Sequence, residues 1–125
     1  MLECDVHLSK DGVVVVSHDE TLDRMCITEF TGKKVSDFNF KELPPFKRSF
    51  KLHLMAGTYQ LKDEEIGRFT TLRELFEIAG GVFISIDLKE TSNDLCEKVA
   101  SLVKEFNRQD LTFWGSMYHE QHALV

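Results

Sequence analysis

Apolar and polar positions alternate strictly at the start of the chain. Leu2, Cys4, Val6 and Leu8 fall on one parity, and Glu3, Asp5 and His7 on the other. That period predicts a strand over Leu2–Leu8 with one covered face and one polar face. Ser9-Lys10-Asp11-Gly12 reads as a hairpin turn leading into a second strand, Val13–Ser17. From Asp19 to about Phe69 no period persists; Gly32, Asp37, Pro44-Pro45 and Gly57 punctuate the stretch, and only pieces such as Lys41–Leu43 suit a helix. Order returns at Thr71-Leu72-Arg73-Glu74, a capping box that opens a helix ending near Ala79, before Gly80-Gly81.

The second half reads as a βαβ unit. Val82–Lys89 is a near-continuous apolar run, as expected of a parallel strand covered on both faces. Thr91 to Asp94 cap a helix whose stripe is Leu95, Val99, Leu102, Val103 and Phe106, and Leu111–Gly115 is the next strand. Such alternation points to an α/β protein with a parallel sheet. A long irregular segment in such a fold is expected to be a loop over the active-site end of the sheet.

Composition narrows the function. With 125 residues the chain suits one domain, 1–125. Apolar content of 42% and charged content of 29% exclude a disordered chain. A net charge of −6 without a basic stripe argues against a nucleic-acid partner. No run approaches the roughly 20 apolar residues that span a bilayer. Cys4, Cys26 and Cys96 form no CxxC pair or even-numbered framework, which suits a reducing, intracellular compartment.

Candidate chemistry gathers on the polar strand faces. Glu3 and Asp5 project to one side, roughly 7 Å apart along the strand, where two hard oxygens can share one Mg²⁺ or Ca²⁺. His7 shares their side by parity. Asp87 ends an apolar strand, a costly place for a carboxylate unless it is ion-paired or metal-bound. Lys89, two residues on, can neutralise a phosphate oxygen or pair with an acid. His18 follows the Val13–Val16 run and is the proton-transfer candidate, with Asp19 orienting it or closing the turn. Trp114 either packs in the core or reaches the pocket rim. His119 and His122, at helical spacing, form a weak metal motif, and His53 lies in the loop region.

Glu3-Cys4-Asp5-Val6, Lys10-Asp11-Gly12, Val13 to Asp19 and Asp87-Leu88-Lys89 occur in an order that resembles the glycerophosphodiester phosphodiesterases. The similarity leans towards their eukaryotic lysophospholipase D branch. It runs on through Val35-Ser36-Asp37, Glu42-Leu43-Pro44-Pro45, Leu72 to Phe76 and Leu111 to Gly115. The resemblance implies a (β/α)8 TIM barrel of the phospholipase C-like type, here about half of it, with residues 19–69 as a long βα-loop insertion. It implies one divalent metal on Glu3, Asp5 and Asp87, phosphate contact by Lys89, and His18 as acid/base. Expected substrates are lysophospholipids, N-acyl ethanolamine phospholipids or small glycerophosphodiesters, with membrane association open for a longer form.

The family's His-Arg-Gly element, expected upstream of the Glu-x-Asp strand, does not occur in this sequence. The segment is therefore expected to be incomplete at both ends and inactive alone. It is also expected to self-associate through open edges at Val13–Val16 and Val82–Ile86. An inactive barrel-derived segment and a cyclic-phosphate-forming phospholipase D are the alternatives.

Overall fold

In the computed structural model, residues 1–52, 56–65 and 67–116 are described. Strand β1 (Leu2–Leu8) lies parallel to β6 (Ile84–Leu88), which lies parallel to β7 (Thr112–Gly115). On the other side, β2 (Val14–Val16) pairs antiparallel with β1, and the two-residue β5 (Thr70–Thr71) pairs antiparallel with β2. The strand order is β5-β2-β1-β6-β7, an α/β fold in which the parallel strands and their helices form part of a (β/α)8 barrel. A separate two-stranded hairpin joins β3 (Ser49–Lys51) to β4 (Thr58–Gln60).

The strand parities sort the residues into layers. Cys4, Val6, Leu8, Val14, Ile84, Ile86, Leu88 and Trp114 point to one face, where helices α1 (Leu72–Ala79) and α2 (Asn93–Glu105) bring Leu72, Phe76, Leu95, Val99 and Val103 against them. Side chains of the other parity, including Glu3, Asp5, Ser85 and Asp87, occupy the opposite face. Cys4 belongs to the helix layer, and its thiol is pushed up to about 12 by burial, with the Asp5 and Glu3 carboxylates adding to the effect. All three cysteines are buried and none of them forms a disulfide.

Both helices start where the caps lie. Thr71 Oγ1 accepts from Glu74 N at 3.0 Å, and Glu74 Oε1 accepts from Thr71 N at 3.1 Å. Ser92 caps α2 by accepting from Leu95 N. After α2 the chain turns through Asn107 at φ 53°, bringing Arg108 inward. Arg108 is buried; it donates to the carbonyls of Gly80 and Val82 and lies over the Phe76 ring at 5.1 Å.

The 19–69 stretch has more order than its lack of period suggested. Val15, Leu22, Cys26, Val35 and Phe69 form a second buried cluster on the face of β2 away from the helices. Three 3-10 turns, Thr28–Phe30, Val35–Asp37 and Phe40–Glu42, carry the chain around it. Phe46 packs edge-to-face on Phe69 with centroids 4.7 Å apart. Apolar residues spaced irregularly around 3-10 turns leave no helix or strand signature, so this core was invisible to periodicity.

The edges also differ from expectation. Val14–Val16 is flanked by β1 and β5, and Ile84–Leu88 by β1 and β7, so neither is an edge strand. The end strands among the described residues are β5 and β7. The Val82–Lys89 strand is shorter than expected because Val82 N bonds back to Ala79 O, closing the turn after α1 and leaving Val82 and Phe83 exposed.

Candidate active site

Parallel register sets the centre of the site. Asp5 on β1 is the partner of Asp87 on β6, and Glu3 is the partner of Ser85 one pleat earlier. Lys89, just past the end of β6, shares the parity of Asp87, and its backbone N donates to Val6 O at 3.1 Å. Its ammonium reaches both acids, 2.8 Å from Asp87 Oδ2 and 3.4 Å from Asp5 Oδ1. Burial disfavours the Lys89 charge, but hydrogen bonding to Asp87 and the two carboxylate charges outweigh it and hold its pKa above the usual lysine value. Two in-register carboxylates around one cation form a compact charge cluster, and all three side chains are only 13–24% exposed.

Glu3 does not join this cluster. It is exposed, one pleat below Asp5 on the same face. Among the described residues no three His, Cys, Asp or Glu side chains converge as a metal-binding group. The three-carboxylate arrangement expected from the sequence is therefore present as one pair bridged by lysine, with Glu3 standing off.

A second polar arrangement surrounds His18. Ser17 N donates to Asp5 O at 2.9 Å, so the end of β2 is stitched to the strand position of the carboxylate. His18 follows immediately, exposed, with Nδ1 2.9 Å from Asp19 Oδ1. Asp19 is gripped by Arg24, whose Nε donates to Oδ2 at 2.9 Å and Nη2 to Oδ1 at 3.2 Å. Partial burial pushes the Asp19 carboxyl up, but hydrogen bonds from Arg24 and His18 overcome that and hold it below the usual carboxylate value.

His7, on the same strand parity as Asp5, is buried. Its Nε2 donates to the His18 carbonyl at 3.3 Å, and its Nδ1 lies 3.6 Å from Glu90 Oε1. Glu90 Oε1 also accepts from Leu8 N at 2.8 Å. Burial raises the Glu90 pKa, but the His7 hydrogen bond and the Leu8 amide lower it further, leaving it below the usual value. Glu90 and His7 thus link the end of β6, the end of β1 and the backbone of His18.

Trp114 takes the core position, one of the two places the sequence left open. It is the register partner of Ile86, buried in the helix-side core, and so faces away from Asp87, whose partner is Gly115. The register of the parallel pair, unreadable from sequence, decides between the two. Arg24 and Glu90 were missed. Arg24 lies in a stretch without period, and Glu90 parity would place it opposite Lys89 had the strand not ended at Leu88. His53, His119 and His122 lie outside the described residues. A cavity of about 300 Å³ between β2 and the helices, bordered by Gly12, Arg73 and Lys98, is on the face opposite Asp5 and is not the site.

The same architecture occurs in known proteins. Human lysophospholipase D GDPD1 is 42% identical over 123 residues, which is 96% of this chain and 37% of that protein. The crystal structure of a glycerophosphodiester phosphodiesterase from Thermotoga maritima is 30% identical with a TM-score of 0.59, covering 91% of this chain and 39% of that one. The corresponding enzyme structure from Agrobacterium tumefaciens has 27% identity and a TM-score of 0.64, covering 92% and 44% respectively. The chain thus spans less than half the length of these relatives. No described helix is long and apolar enough to cross a membrane. Residues 1–119, from the Glu-x-Asp strand through β7, match the glycerophosphoryl diester phosphodiesterase family, and the chain belongs to that family.

Proposed function

We propose that this chain carries the phosphate-facing part of an active site that hydrolyses glycerol-containing phosphodiesters, lysophospholipids foremost. The observation that carries the reading is the Asp5–Lys89–Asp87 cluster in register on adjacent strands, with His18 mounted at the end of the next strand. Lys89 supplies a fixed positive charge beside the place where a phosphoryl oxygen gains negative charge. His18, whose Nδ1 meets Asp19 Oδ1, moves a proton to or from the ester oxygen. Lysophospholipid as substrate class rests on the likeness to the lysophospholipase D relatives.

A divalent cation suits the donor set in kind. Asp5 and Asp87 are hard oxygen donors that already attract one cation, the Lys89 ammonium, and Glu3 lies on the same face within one pleat. Asp5, Asp87 and Glu3 would hold Mg²⁺ or Ca²⁺, which when bound polarises a phosphoryl oxygen. Lys89 then contacts the phosphate instead of bridging the acids.

The test is turnover of lysophosphatidylcholine and glycerophosphocholine by a longer form that contains this segment, followed by phosphorus NMR. Hydrolysis to a phosphomonoester that stops with chelator and returns with Mg²⁺ or Ca²⁺ supports the reading. A cyclic phosphate product would reassign the reaction, and full turnover after exhaustive chelation would remove the metal.

A further inference from the structure

The Asp19–Arg24 pair is more than a surface ion pair. Arg24 uses its donors in two directions: Nε and Nη2 grip both oxygens of Asp19, and Nη1 donates to Lys51 O at 2.9 Å. Lys51 is the last residue of β3, and Asp19 Oδ1 is the atom that meets His18 Nδ1. One guanidinium therefore stands between the β3–β4 hairpin and the imidazole. Arg24 and Asp19 are 25% and 19% exposed against 40% for His18, so the grip is shielded while the ring faces outward.

We propose that Arg24 is a positioning residue for His18, fixing the ring through Asp19 and tying its orientation to the β3–β4 hairpin. An ionised carboxylate only accepts, so a ring nitrogen hydrogen-bonded to it must carry the proton. Asp19 thereby selects the Nδ1–H tautomer, which puts the lone pair on Nε2. A carboxylate held at one oxygen turns about its last torsion, where two orientations are nearly equivalent. The two parallel N–H groups of Arg24 remove that freedom, and lysine cannot reproduce the fork.

The hairpin end of the link is itself braced. Phe50 on β3 faces Tyr59 on β4 with centroids 5.7 Å apart, and Phe46 packs on Phe50 at 6.1 Å. Arg48 donates to the carbonyls of Leu61, Lys62 and Glu65, closing the far side of the hairpin. A displacement of this unit moves the Lys51 carbonyl, and the Arg24 fork with it. The hairpin thus acts on the site without contributing a side chain to His18.

The inference rests on the functional reading only in giving His18 a proton to move; the mount is measurable without turnover. Long-range ¹H–¹⁵N spectra of the 125-residue chain report the tautomer of each histidine ring, with His18→Gln assigning the signal. We expect the Nδ1–H form to dominate at His18 in the parent chain. In Arg24→Gln it should fall to the minority, with Arg24→Lys between the two. Phe50→Ala, which loosens the hairpin and touches neither Asp19 nor His18, should shift the population in the same direction.

Arg24→Gln combined with Asp19→Asn should shift it no further than Asp19→Asn alone, because both act through one contact. A dominant Nε2–H form in the parent chain overturns the proposal, as does an unchanged tautomer in a folded Arg24→Gln. Should that variant fail to fold, Nε–H exchange of Arg24 in the parent chain decides instead. Protection with a cross-peak to Asp19 supports the mount, and solvent-like exchange refutes it. Absence of phosphodiesterase activity would count against the functional reading alone and leave the tautomer result standing.

Discussion

Asp5 and Asp87 are register partners on parallel neighbours β1 and β6, two like charges set side by side and reconciled by the Lys89 ammonium. Such a pair is tolerable while a cation is present and repulsive without one.

Lys89→Met should therefore destabilise the chain by about 1–3 kcal/mol at neutral pH, the usual range for a lost charged hydrogen bond. Added Ca²⁺ or Mg²⁺ should raise the melting temperature of the variant more than that of the parent, because the ion no longer competes with the ammonium. Equal responses in thermal melts would argue against a cation position there. The pKa of Lys89 is raised, so its contribution is fully present below the ordinary lysine value and is lost as pH rises through the elevated one.

Asp87→Asn and His18→Ala should damage a catalytically active longer form in different ways. Asp87→Asn removes a donor charge, and higher Mg²⁺ or Ca²⁺ should restore part of the rate. His18→Ala removes a proton-transfer group, a loss of roughly 10²–10⁴-fold that no metal concentration repairs. Steady-state kinetics across a metal titration separates the two, and near-parent rates for His18→Ala would withdraw its role.

How far these residues could be read beforehand depended on whether a local rule governed them. Thr71 and Glu74 announce a helix start by spacing alone, and the helix begins at Leu72. Period two put Cys4 on the covered face and Glu3 and Asp5 together on the other. Trp114 needed the inter-strand register, which is a property of two segments at once. Arg24 meets Asp19 across a short turn at the buried Leu22, whose carbonyl accepts from Cys26 N, and no periodicity encodes that turn. Glu90 likewise acquires its role only where β6 stops.

Acid should reveal the capping box. Hydrogen bonds from Arg68 and the Thr71 amide lower the Glu74 carboxyl from 4.5 to about 2. A depressed carboxylate stabilises the fold above its unfolded pKa, and that contribution is lost as pH falls through the folded one. Melts of the parent chain from pH 4.5 to 2 should show a loss that Glu74→Gln lacks. Thr71→Ala should cost about 1 kcal/mol at any pH in which the helix stays packed. Parallel acid profiles for parent and Glu74→Gln would remove the assignment.

Gly12→Ala should destabilise the β1–β2 turn. Gly12 has φ +79°, which costs an L-residue about 1–2 kcal/mol. An added Cβ would also lie 2.2 Å from Lys98 Nζ, which donates to Gly12 O at 2.9 Å. The ammonium can swing aside, so the backbone term dominates and the lost hydrogen bond adds about 0.5–1.5 kcal/mol. Urea unfolding should show a lower midpoint with unchanged slope; a variant as stable as the parent would mean the turn relaxes freely.

Arg108, buried against Phe76, grips neutral carbonyls at Gly80 and Val82, whereas the Asp5–Lys89–Asp87 cluster consists of opposed full charges open in part to solvent. Dissolved electrolyte weakens the second kind of contact and barely touches the first. The two ends of the parallel strands therefore answer differently to ionic strength. Salt should loosen the end that holds the Asp5–Lys89–Asp87 cluster while leaving the opposite end, at the junction of α1 with β6, as the fixed pivot about which it yields.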